Sequence, residues 1–89
     1  MTLRIVADVR EDRTTIRLVG RMRAEHIEPV RAEIAVSRAP TALDLNEVTL
    51  ADVDAIRFLA TAEREGIVLE HCAPFIREWI TREANRSRR

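Results

Sequence analysis

The sequence has no lysine; all 15 of its basic residues are arginine. A P-loop lysine and any Schiff-base or catalytic lysine are therefore excluded. Glycine is nearly as scarce, with only Gly20 and Gly66, so no glycine-rich loop can cradle a phosphate. Net charge is also missing, because the arginines are matched by 15 acidic residues, and no overall field draws the chain to nucleic acid or an anionic membrane. Cys72 stands alone and cannot form an internal disulfide, which fits a reducing compartment. No apolar run approaches the roughly 20 residues needed to cross a bilayer, and no long apolar stretch follows the early charge at Arg4, as a signal peptide requires. The expectation is a cytoplasmic protein without membrane insertion. Nothing in the inventory favours catalysis.

What is present is a core. In 89 residues, 46 % are hydrophobic, which suffices for one small domain of modest stability. Leu3, Ile5, Ala7 and Val9 alternate with Arg4, Val6, Asp8 and Arg10, predicting a half-buried strand. After the polar turn Glu11-Asp12-Arg13, a second strand covers Thr15 to Gly20 with Ile16 and Leu18 inward. So short a link implies an antiparallel hairpin. Ile27, Val30 and Ile34 then follow a helical period. Pro29 would cost ~3 kcal/mol deep in a helix, so a loose turn at 24–27 and a regular helix from Glu28 are expected, with proline in the first turn.

Residues 41–46 read as a third strand, parallel to the second because a helix intervenes. Residues 46–51 read as a loop. Asp52 is placed to cap the next helix, whose inner face is expected to hold Ile56, Leu59, Ala60 and Glu63, with Ala55, Phe58 and Ala62 on its shoulder. Gly66 stops that helix, and residues 67–71 form a fourth strand. Pro74 opens a last helix whose apolar stripe is Phe75, Ile76, Trp79 and Ile80. The order ββαβαβα specifies an α/β domain with a mixed β-sheet and helices packed on it.

In open α/β sheets, function gathers beyond the carboxyl ends of parallel strands, and here that means the segment after Leu45. Leu43-Asp44-Leu45-Asn46, Val48-Thr49-Leu50 and Asp52, followed by Ile56 and Leu59, resemble the signature of STAS domains, the fold of bacterial anti-sigma factor antagonists. Leu18-Val19-Gly20-Arg21-Met22 is similar to the family's second-strand ending. Ala24-Glu25-His26-Ile27 with Val30-Arg31 is similar to its first helix, and GIVLEHCAPFIREWITRE to its closing stretch. The resemblance covers residues 3–84. It implies a single STAS-like domain over 2–84, with 85–89 a basic disordered tail. It further implies a SpoIIAA-like fold and a part in signal transduction and transcription regulation. Many family members continue into a fifth strand and fourth helix, so a sheet edge here is left for something else to cover.

Two departures bear on mechanism. The family's phosphorylated serine follows the capping aspartate, and that position is Val53, a lost phosphoacceptor. The glycine two positions later is Ala55. The resemblance thus implies a non-enzymatic interaction module that docks an anti-sigma factor, or another regulatory protein, through residues 46–58 without the serine switch. The candidate partner-binding residues are Asn46, Glu47, Thr49, Asp52, Val53, Asp54 and Arg57. The alternative is a STAS subunit of a phospholipid-transport ABC complex, contacting its nucleotide-binding subunit.

Blander readings stand beside these. Asp52 is a helix cap before it is a recognition group. Asp54 is a first-turn acid or a standing mimic of phosphoserine, though a carboxylate carries about half a phosphate's charge. Thr49 is an ordinary loop threonine or a relocated phosphoacceptor. His71 and Cys72 have no second pair with which to hold a metal, and Cys72 reads as a small buried hydrophobe. His26 reads as a surface residue or one leading into the helix. Trp79 is core or a contact for a partner, which leaves a homodimer open. No cofactor, metal or nucleic acid is implied.

Overall fold

A computed structural model describes residues 3–37 and 40–87. Strands β1 (Arg4–Val9), β2 (Thr14–Met22), β3 (Thr41–Ala51) and β4 (Val68–Glu70) alternate with helices after the opening hairpin. A short 3-10 turn, Ala24–His26, leads into α1 (Ile27–Val36); α2 is Val53–Arg64 and α3 is Pro74–Ser87. The four strands lie side by side in the order β1-β2-β3-β4. β1 and β2 are antiparallel, while β2, β3 and β4 are parallel. This is the mixed sheet expected from the ββαβαβα order.

One face of the sheet carries the core. Ile16, Leu18 and Met22 of β2 and Leu43, Leu45, Val48 and Ala51 of β3 are buried, packed with Val30, with Ala55, Ile56, Phe58 and Leu59 of α2, and with Ile76 and Ile80 of α3. On the opposite face Arg17 of β2 and Glu47 of β3 are exposed and face each other, 4.0 Å apart.

Residues 46–51 are not a loop: β3 continues through them to Ala51. Its pairing with β2 slips twice, since Arg17 and Val19 oppose Asp44 and Glu47, and Gly20 and Arg21 oppose Val48 and Leu50. Each slip gives β3 one extra residue, a β-bulge. The bulges stretch the spacing of inward residues from two, at Leu43 and Leu45, to three, at Val48 and Ala51. Strict alternation is lost from the sequence while the ladder survives. Gly20, at φ 115°, supplies the backbone freedom at the second slip.

Other expectations change with packing. Ala7 and Val9 are exposed, Val9 by 74 %, because α1 packs against β2 and leaves β1 uncovered beyond Ile5. In α3 the buried positions are Ile76, Ile80 and Glu83, one helical face, whereas Phe75 points outward and Trp79 is half-buried. Glu83 tolerates that place because its carboxylate meets Arg57 at 3.3 Å and Arg86 at 3.8 Å. In α2, Glu63 is on the surface and forms a bidentate pair with Arg77, at 2.9 and 3.0 Å. His26 is buried, not a surface residue; its Nδ1 accepts the Arg23 N–H at 3.0 Å. Strand β4 is shorter than expected because His71 turns to φ 55°. Helix α3 takes in residues 85–87, read from composition as tail; Arg88 and Arg89 lie outside the described residues.

Candidate functional site

Asp52 joins three elements at the end of β3. Its Oδ1 accepts the Ala55 N–H at 2.9 Å, the N-cap bond of α2. Its Oδ2 accepts the Ala24 N–H at 3.0 Å, which ties down the start of the 3-10 turn. Its own N–H donates to the Met22 carbonyl at 3.2 Å, and its carbonyl accepts from Ile56 at 2.9 Å. Both carboxylate oxygens are thus engaged by backbone. The residue shapes the surface around it.

Beyond that anchor, α2 presents Val53, Asp54 and Arg57 outward. Val53 is 42 % exposed, and Leu50, just before it on β3, is 44 % exposed. A groove of about 410 Å³ runs beside them between α1 and α2, with Ile27, Arg31, Asp54, Arg57 and Phe58 in its walls. The Arg31 guanidinium lies over the Phe58 ring, 5.3 Å from its centroid, a cation–π contact that closes one wall. Arg57 is oriented by its bond to Glu83. The exposed surface here combines two apolar side chains with one acid and one guanidinium, on a rigid strand–helix junction. It offers recognition chemistry and no nucleophile–base pair.

The remaining candidates sit elsewhere. Glu47 turns to Arg17 on the open face of the sheet. Asn46 is exposed, and its backbone N–H donates to Asp44 Oδ1 at 3.0 Å. The Thr49 hydroxyl donates to the Gly20 carbonyl at 3.3 Å, across the second bulge. The bulged ladder separates Asn46, Glu47 and Thr49 from the α2 start. Leu50 was missed by sequence reading, since an apolar residue in an assumed loop carries no sign of its exposure.

His71 and Cys72 are also apart in role. His71 Nδ1 lies 3.2 Å from Asp44 Oδ1. Desolvation pulls the Asp44 carboxyl upward, but the Asn46 N–H, His71 and Arg17 outweigh it and hold the group below the ordinary 3.8. Cys72 packs against the core, and desolvation pushes its thiol above the usual 9.0, with Arg77 opposing and Glu63 assisting. No trio of His, Cys, Asp or Glu among the described residues could hold a metal ion. No helix among them is long and apolar enough to cross a membrane.

The backbone fold is similar to that of several solved structures. One is the anti-sigma factor antagonist SpoIIAA in its unphosphorylated form, with TM-score 0.69 and 16 % identity over 90 % of this chain and 82 % of that one. A second is the STAS-domain anti-sigma factor antagonist from Rhodobacter sphaeroides, with TM-score 0.61 and 15 % identity over 92 % and 90 %. The fold is that of a STAS domain. A third, an uncharacterized DUF3478-family protein from Shewanella loihica with a SpoIIAA-like fold, aligns at TM-score 0.52 and 17 % identity over 96 % of this chain and 78 % of its own. By sequence, no family model and no curated protein matches the chain. At these identities the likeness establishes the STAS fold; what the surface binds is a separate matter.

Proposed function

We propose that this chain is a non-enzymatic interaction module that docks a regulatory protein of the anti-sigma factor kinase type through the β3–α2 junction. The observation that carries this reading is the exposure of Leu50, Val53, Asp54 and Arg57 around a half-buried, backbone-bonded anchor, Asp52, in a fold shared with two anti-sigma factor antagonists. Such preformed, partly apolar patches with a polar rim suit protein partners. Val53 follows the cap, where the resemblance puts a phosphorylated serine, and valine has no hydroxyl to accept phosphate. Docking is therefore constitutive with respect to that position. Asn46, Glu47 and Thr49, set apart from the α2 start by the bulged ladder, are left out of the docking surface.

The test is a pull-down from native lysate with ATP present, using the chain and an Asp54→Arg, Arg57→Glu variant, each checked by thermal melting. Retention of an anti-sigma kinase-like protein by the parent alone, with residue 53 unmodified, supports the reading. Equal retention by both, or retention of an ABC nucleotide-binding subunit, overturns it. Phosphate on Thr49 would reinstate a switch at a new position.

A further inference from the structure

Strand β1 has a partner on one side only, because it lies at the end of the sheet. The Arg10 N–H donates to the Arg13 carbonyl at 2.8 Å and closes the hairpin. Hydrogen-bonded and non-bonded pairs alternate in an antiparallel ladder, so Arg4, Val6 and Asp8 use their backbone groups toward β2. Ile5, Ala7 and Val9 direct theirs outward. That edge is six residues long, and nothing among the described residues covers its helix-side row at Ala7 and Val9. A groove of about 570 Å³ lies beneath, between β1 and the end of α1, lined by Ala7, Val9, Val36 and Pro40 among others. Val9 and Val36 are 74 % and 75 % exposed there.

We propose that two copies of this chain pair through their β1 edges, antiparallel and about a two-fold axis at Val6. In that register Arg4 of each copy faces Asp8 of the other, Val6 faces Val6, Ile5 faces Ala7, and Leu3 faces Val9. The open-face row then holds two opposite-charge pairs flanking an apolar contact. The helix-side row is apolar throughout, and the outward backbone groups of Ile5 and Ala7 satisfy one another. Shifting by one step in either direction loses this: Arg4 then meets Arg10, or it meets Val6. Charge complementarity thus selects both the occupant and the register. The Asp8–Arg10 pair within one copy, at 3.3 Å with both side chains largely exposed, is weak enough to yield. Charges on an edge commonly prevent association; here the two-fold converts them into pairs. β1 is separated from β3 by β2, so this surface is independent of the docking segment.

Sedimentation of the purified chain over a wide concentration range tests the proposal, with the expected species at twice the 10.2 kDa chain mass. Arg4→Asp or Asp8→Arg alone should weaken the dimer about tenfold or more, since each reversal creates two like-charge pairs. The combined variant should restore it. Ala7→Pro removes an outward N–H, a change that an edge strand tolerates, and should abolish the dimer while the far-UV spectrum stays close to the parent's. In a Cys72→Ala background, Val6→Cys should cross-link to its own copy under mild oxidation, as facing non-hydrogen-bonded positions allow, and Asp8→Cys should not. A monomer at every concentration overturns the proposal. So does a dimer indifferent to both single reversals.

Discussion

Replacing Asp52 by alanine removes two side-chain acceptors of backbone N–H groups at once. Loss of an aspartate N-cap generally costs about 0.5–2 kcal/mol, and loss of the Ala24 bond adds about 0.5–1.5 kcal/mol, nearer the lower figure because that site is exposed. The sum is roughly 1–3 kcal/mol. Domains of this size are stable by about 4–13 kcal/mol, and each kcal/mol moves the midpoint by about 4–8 °C. Asp52→Ala should therefore lower the melting temperature by roughly 4–24 °C, read by far-UV circular dichroism and confirmed by a lower urea midpoint. Asp52→Asn separates the two bonds, since its single carbonyl oxygen can keep the Ala55 N–H but its amide nitrogen cannot accept from Ala24. It should fall between parent and alanine variant. Asp54→Ala should cost only ~0.3–1 kcal/mol, the interaction of a first-turn acid with the helix dipole, and that loss should shrink with salt. An Asp52→Ala chain melting within a degree of the parent would refute the anchoring role.

Three other outcomes follow from particular contacts. Asp44 has a folded pKa below its ordinary 3.8, so its contribution is complete above that value and is lost as pH falls through the lower folded one; Asp44→Asn should flatten the acid limb of a stability–pH curve below about pH 4 and leave its shape near pH 7 unchanged. Cys72, half-buried with its thiol raised above 9.0, should react with Ellman's reagent much more slowly in the native chain than in urea at pH 8; equal rates would contradict the packing described. Phe75→Ser should change stability by less than about 0.5 kcal/mol because the ring is outside the core, whereas Ile76→Ala should cost about 2–5 kcal/mol. Denaturant titration of the two variants distinguishes these positions.

The features legible from local chemistry are those one or two residues can enforce. Asp52 accepts a helix N–H, Gly66 takes φ 101° after α2, and Pro74 begins α3. Alternation at Ile16 and Leu18 and the short turn at 10–13 announce the hairpin, and intervening helices make the next strands parallel. The cap at the candidate site was legible for the same reason, and so was the absence of a hydroxyl at Val53.

What no local pattern contains is which surfaces meet. Two bulges against β2 keep residues 46–51 in the ladder and send Glu47 to Arg17, away from Asp54 and Arg57. The placement of α2 selects Ile76, Ile80 and Glu83 as the inner face of α3 and leaves Phe75 in solvent. Glu83 can lie there only because Arg57, from a helix 26 positions earlier, reaches its carboxylate. The position of α1 over β2 leaves Ala7 and Val9 bare on a strand whose alternation alone suggested cover. Periodicity states which side chains share a face. Burial of that face depends on a second element, and the free energy of bringing the two together belongs to neither segment by itself.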